Sequence, residues 1–189
     1  MSAELKAKVA NPGPLGLLGG GMTTVLLNLH NAGLLPLSIA IVAMGIALGG
    51  LAQIIAGIRE LCQGNTVAGT AFTAYGLFWW SLVIIWVNPY GDAGIEAASK
   101  VAMGYYLLLW GIFTAFMFIG TLKHNKATQV VFGSLTGLFI LLALGDFTGN
   151  HTITIIAGFE GIFCGLSAIY SAMGQILNAE YGKTVVPLG

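Results

Sequence analysis

The stretch Asn11-Pro12-Gly13-Pro14-Leu15-Gly16-Leu17-Leu18-Gly19-Gly20-Gly21-Met22-Thr23-Thr24 decides how the rest of the chain is read. It opens an apolar run without a charge. Its proline suits a first helical position, because the ring presets φ and the missing N–H would have no partner there. A helix is expected to begin at Pro14. Apolar sequence then continues only to Leu29, about 15 residues or roughly 22 Å, against a hydrocarbon core of about 30 Å. The run therefore predicts a short membrane helix with two ways to fit. Either its amino end lies below the interface, turning unpaired N–H groups and the positive dipole end toward a small anion, or the bilayer thins around it.

The whole chain shares this character. Of its 189 residues 57% are hydrophobic and only 7% charged, whereas soluble domains carry about a quarter charged residues. So few charges would leave a soluble domain with large exposed apolar patches, so the chain is expected to sit in a membrane. Six apolar segments follow one another: 14–29, 37–58, 66–87, 101–122, 128–144 and 153–177. Several match the roughly 20 apolar residues that a spanning helix needs. The expected fold is an all-α bundle of six transmembrane helices in one domain, 1–189, with short tails at 1–10 and 178–189. Met1 to Ala10 is polar, and no removable signal peptide is read there.

Orientation follows the basic residues, which weigh more than the acids in membrane topology. With the amino terminus cytoplasmic, Lys6, Lys8, Arg59, Lys123, Lys126 and Lys183 all fall inside and only Lys100 outside. An even number of spans then puts the carboxy terminus inside as well.

Polar side chains within apolar spans are costly unless they face the bundle interior or a wet cavity, which makes them site candidates. Thr23, Thr24 and Asn28 in the first span and Gln53 in the second are uncharged donors, suited to holding a small carboxylate weakly enough to release it. No Arg or Lys lies within a span, which argues against tight recognition of a dicarboxylate or phosphate by charge pairing. Tyr75, with Thr73 close by, falls near mid-membrane in the third span; its ring narrows a path and its O–H can still donate. Glu160, seven residues into the last span, shares a helix face with Cys164, Ser167 and Ser171, and is a proton carrier or a structural hydrogen-bonding group. Pairs of glycines four apart, Gly16 and Gly20, Gly45 and Gly49, Gly161 and Gly165, make flat stripes for close helix packing, within one subunit or between subunits. Cys62 and Cys164 stand in separate segments and form no metal or redox motif. No metal, cofactor or nucleic acid is expected, and no enzyme: paired carboxylates, His clusters, Ser/His arrangements and cofactor fingerprints are missing from the sequence.

The string Asn11 to Leu17, followed by Met22-Thr23-Thr24 and Asn28-Leu29-His30-Asn31, closely resembles the signature of the acetate and succinate transporter family, the SatP- or YaaH-like permeases. Gly49-Gly50-Leu51-Ala52-Gln53, Gly64-Asn65-Thr66, Ala71-Phe72-Thr73-Ala74-Tyr75-Gly76 and Ala168-Ile169-Tyr170 recur in that family's order and spacing, so the resemblance covers nearly the whole chain. It implies a homohexamer in the plasma (inner) membrane, with acetate, and sometimes succinate, passing through each six-helix subunit. It adds Asn11 and Leu15 to the candidate substrate contacts. It also implies a narrowest constriction made by a Phe, a Tyr and a Leu, at the positions of Gly20, Tyr75 and Leu135. Gly20 departs from that pattern, which predicts a looser or displaced constriction unless Leu17, Leu18 or another helix fills the gap. Glu160 departs too, the family usually being apolar there, and so does Asp146, where Asn is usual; the two carboxyls are the candidates for proton coupling. Coupling itself is open at this point. The alternatives are a pore for small neutral solutes such as urea or ammonia, which a path without basic residues also suits, and a non-transporting membrane assembly protein, for which the glycine stripes speak.

Overall fold

The structure is a computed structural model and describes residues 9–189. Glu4, Lys6, Lys8 and most of the amino-terminal tail lie outside the described residues. Six long helices follow one another: α1 (Gly13–Asn31), α2 (Ile39–Cys62), α3 (Thr66–Val87), α4 (Lys100–Gly120), α5 (Lys126–Thr148) and α6 (His151–Tyr181). Among the described residues there is no strand. The six apolar segments read from sequence are these helices, and all but α1 are long and apolar enough to cross a membrane by themselves.

Polar side chains at the chain's turning points set the helix starts. Asn11 Oδ1 accepts from Gly13 N, Asn65 Oδ1 from Ala68 N, Ser99 Oγ from Ala102 N, Asn125 Oδ1 from Thr128 N and Asn150 Oδ1 from Thr152 N. Each satisfies one of the orphan N–H groups of a first turn. At the other ends Asn88, Gly149 and Gly182 take left-handed conformations that stop α3, α5 and α6.

Three expectations change. The first helix is longer than its apolar run: its 19 residues span about 28 Å, because it takes in Gly13 at one end and His30 and Asn31 at the other. Its amino end is not an open anion site either. Gly13 N is capped by Asn11, and Oε1 of the buried Glu60 comes within 3.4 Å of where a Cβ on Gly13 would stand, so a carboxylate already faces the positive end. Third, α6 runs past Leu177 to Tyr181, and the residues after it are folded back. The Asn178 amide accepts from Val185 N and Val186 N and donates to Val186 O, and Leu188 O accepts from Ala127 N at 2.9 Å.

The second span carries a feature that the hydrophobic pattern does not show. Its middle, Gly45–Ala52, is π-helical, with ordinary α-helix before and after. Widening the turn frees carbonyls, and Trp80 Nε1 of α3 donates to one of them, Ile46 O, at 3.0 Å. The π segment ends at Gln53 and aims that side chain at α1, where its Nε2 donates to Gly16 O at 3.0 Å.

The helices close on one another around an axis. α1 packs on α6 and on α2, α2 on α3, α6 on α5 and α5 on α4. Rings close the join between α3 and α4: Tyr75 against Trp110 and Phe113, Phe78 against Trp110 and Tyr106. The glycine stripes serve packing inside the subunit. Gly161 lies on the Asn28 carboxamide, Gly165 on the backbone of Gly21, Gly49 on the Trp79 ring and Gly16 on Phe72.

Candidate functional site

A cavity of about 60 Å³ lies on the axis at mid-depth, with walls from α1, α2, α3, α5 and α6. α4 stays behind the wall and braces α3 through its aromatic rings. Gly20, Tyr75 and Leu135 all border this cavity, from three different helices. So do Thr24 and Gln53. Among the described residues no charged side chain borders it, and the remaining wall is aromatic, aliphatic or glycine apart from Cys164.

The polar atoms on this wall are already oriented. Tyr75 donates its O–H to Thr114 Oγ1 at 2.9 Å, and Thr114 donates in turn to Trp110 O at 2.7 Å. The phenol proton is thus committed to α4, and the oxygen offers lone pairs to the other side. Gln53 is almost wholly buried; with Nε2 tied to Gly16 O, its Oε1 is left buried without a partner. Cys164 Sγ lies 3.7 Å from Val131 O, which fixes the thiol against α5.

A second, wetter cavity of about 220 Å³ lies between the first and the face that carries Asn11, Asn65 and Asn125. Asn11, Glu60, Asn65, His124, Thr128 and Gln175 line it. Glu60 Oε2 accepts from Asn65 Nδ2 at 2.8 Å, and Asn11 Nδ2 donates to Gln175 Oε1 at 3.0 Å, so this vestibule has an ordered rim of amides around one carboxyl.

Of the residues singled out by sequence, Asn11 therefore lines the vestibule and Thr24, Gln53, Tyr75, Gly20 and Leu135 the central cavity. The others lie elsewhere. Leu15 faces outward with 42% of its surface exposed. Thr23 donates to Gly19 O inside the α1–α2 seam, and Asn28 is buried between α1 and α6, its Nδ2 donating to Thr24 O and its Oδ1 accepting from Asn31. Thr73 sits in the α2–α3 seam beside Gly57 with its hydroxyl buried and unpartnered. Glu160 borders neither cavity; it lies in the α5–α6 seam near Gly137, with Oε2 buried and unpartnered. Asp146 is half-buried near the opposite end of α5, within the field of Lys100.

Sequence reasoning weighed Leu17 only as a filler beside Gly20 and passed over Phe72 and Phe132, all three of which border both cavities, together with Glu60, His124 and Gln175 in the vestibule. The first three had a signal. Each stands three positions before one of Gly20, Tyr75 and Leu135, hence on the same helix face one turn away.

Six helices closed around an internal axis with stacked cavities define a multi-pass helical membrane protein of the transporter and channel class. The chain belongs to the GPR1/FUN34/yaaH family, whose profile matches residues 1–188. It is 55% identical over 183 residues to the succinate-acetate/proton symporter SatP of Escherichia coli strain K12, covering 96% of each chain. It is 32% identical to acetate permease A of Emericella nidulans, covering 96% of this chain and 66% of that one. To the ammonia transport outward protein 2 of Saccharomyces cerevisiae it is 38% identical, over 95% of this chain and 66% of the relative. Among solved structures it matches that of the bacterial acetate channel SatP with a TM-score of 0.93 and 54% identity, over 96% of this chain and all of the other.

Proposed function

We propose that this protein moves acetate and related short monocarboxylates, and succinate less readily, across the plasma membrane along the axis of each subunit. The observation that carries the reading is the near-complete match, in sequence and in fold, to a bacterial acetate channel. The cavity supports it: aromatic and aliphatic walls suit a methyl group, a few uncharged polar groups suit a carboxyl, and the lack of charged side chains lets the solute leave again. Thr24, Gln53 and Tyr75 are the substrate contacts at mid-depth, Gln53 and Tyr75 as oriented accepting from the O–H of a protonated carboxyl, and Asn11 is the contact at the vestibule. The subunits assemble as a hexamer in the inner membrane, with both termini and the vestibule cytoplasmic. That orientation puts Arg59, Lys123, Lys126 and Lys183 inside and Lys100 outside. The chain is not an enzyme.

Neither Glu160 nor Asp146 borders the central cavity, which favours a path without a carboxyl proton carrier at mid-depth. Labelled acetate uptake into liposomes holding only the purified protein tests the proposal, with and without a pH gradient and with succinate, formate and urea as competitors. Saturable acetate uptake that formate competes for strongly and succinate weakly is expected. Urea or ammonia flux exceeding acetate flux would overturn the substrate assignment in favour of a neutral-solute pore, the reading that the uncharged wall and the ammonia-exporting yeast relative also suit.

A further inference from the structure

The vestibule and the central cavity lie in line and have three wall residues in common: Leu17 of α1, Phe72 of α3 and Phe132 of α5. We propose that these three side chains, and not the layer of Gly20, Tyr75 and Leu135, are the barrier of this path and set the size of what passes. The proposal rests on the reading above that a small solute moves along this axis.

All three helices start at the vestibule face, so a residue three positions earlier lies about 4.5 Å nearer that face. The upper layer cannot close by itself. Gly20 contributes only a hydrogen, and the space before it is taken by the Gln53 carboxamide, whose Nε2 lies 2.7 Å from where a Cβ would stand. That carboxamide is a polar group held against α1, and the cavity remains open beside it. One turn lower the layer is filled. Phe72 lays its ring on Gly16, close enough that a Cβ there would meet ring carbons at 2.7 Å. The lack of a side chain at Gly16 therefore brings the ring onto the axis beside Leu17. Leu17, Phe72 and Phe132 are 7%, 6% and 6% exposed and belong to one contiguous apolar cluster. None of them has a polar atom to replace lost hydration. Such a constriction excludes water and ions by dewetting, and passes a solute only when the side chains part or the solute presents an apolar end.

The molecule contains a reporter for this barrier. Cys164 borders the central cavity beyond the layer, while Cys62 is exposed. In a Cys62→Ser background, a membrane-impermeant methanethiosulfonate or silver ion is added from the vestibule face, and the rate of Cys164 modification is measured. Slow modification is expected in that parent. Phe72→Ala, Leu17→Ala and Phe132→Ala, one on each helix, are each expected to speed it at least tenfold, and Leu135→Ala less than threefold. The same three variants are expected to raise butyrate flux relative to acetate at least fivefold. Three variants on three helices keep the test alive should one of them fail to fold. Rapid modification in the parent overturns the proposal, as does acceleration by Leu135→Ala that matches Phe72→Ala, or no acceleration in any of the three. Thiol modification needs no transported solute. A protected thiol in a protein that moves no acetate therefore supports the barrier and sinks the substrate assignment, so the two failures are told apart.

Discussion

At the scale of single residues, the direction of one proton decides what Tyr75 can do. Its O–H is given to Thr114, and Thr114 gives its own to Trp110 O. Thr114→Val removes the acceptor from a buried phenol, which is expected to cost about 1–3 kcal/mol and to lower the melting midpoint of the purified protein. It also frees the phenol to donate into the cavity. Acetate is therefore expected to raise the midpoint of Thr114→Val by more than it raises that of the parent, and equal shifts would show that the hydroxyl does not reach the solute. Glu160 is the opposite case, a carboxyl in a helix seam with an unpartnered oxygen. An ionised group at the centre of a span costs about 2.5–3.5 kcal/mol on insertion scales, so Glu160→Gln is expected to raise the melting midpoint. Acetate uptake driven by a pH gradient should stay within twofold of the parent; its loss would make Glu160 the proton carrier. Residue types and depths were legible in the sequence. Facing was not: Thr23, Thr24 and Asn28 carry similar polarity on one helix, and only Thr24 borders the cavity. One helix accommodates polar groups by bonding them to its own backbone as readily as by exposing them, as Thr23 to Gly19 O and Asn28 to Thr24 O show.

At the scale of elements, the α1–α6 seam and the π segment of α2 position the path. A side chain added at Gly161 would run into the Asn28 carboxamide, and one at Gly158 into the backbone of Ala32. Gly161→Val is thus expected to destabilise the protein by at least about 1–3 kcal/mol, read as a fall in melting midpoint; an unchanged midpoint would mean that α6 can shift without penalty. The small-residue spacing that makes this seam was readable, because four residues return a side chain to the same helix face. The π segment was not. An extra residue in one turn leaves the apolar composition of the span unchanged, and what stabilises it is a donor from another helix, Trp80 on Ile46 O.

At the scale of the whole molecule, the basic residues predict the side on which the vestibule opens. Cys62 is exposed at the end of α2 on the vestibule face. An impermeant maleimide is expected to label it in inside-out vesicles and not in intact cells, and labelling in intact cells would invert the orientation.

What the sequence by itself determined is the membrane class, the six spans with their order and the family. These depend on composition, periodicity and local motifs, which act over one helix at a time. The tertiary structure alone decided which polar groups border the central cavity, that Glu60 lies beside the amino end of α1, and which side chains stand between the two cavities. Those outcomes depend on how close two backbones come. Helix approach at Gly16 admits the Phe72 ring, and the widened turn of α2 brings Gln53 over Gly20. Packing between helices distant in sequence sets both, and no single helix encodes it.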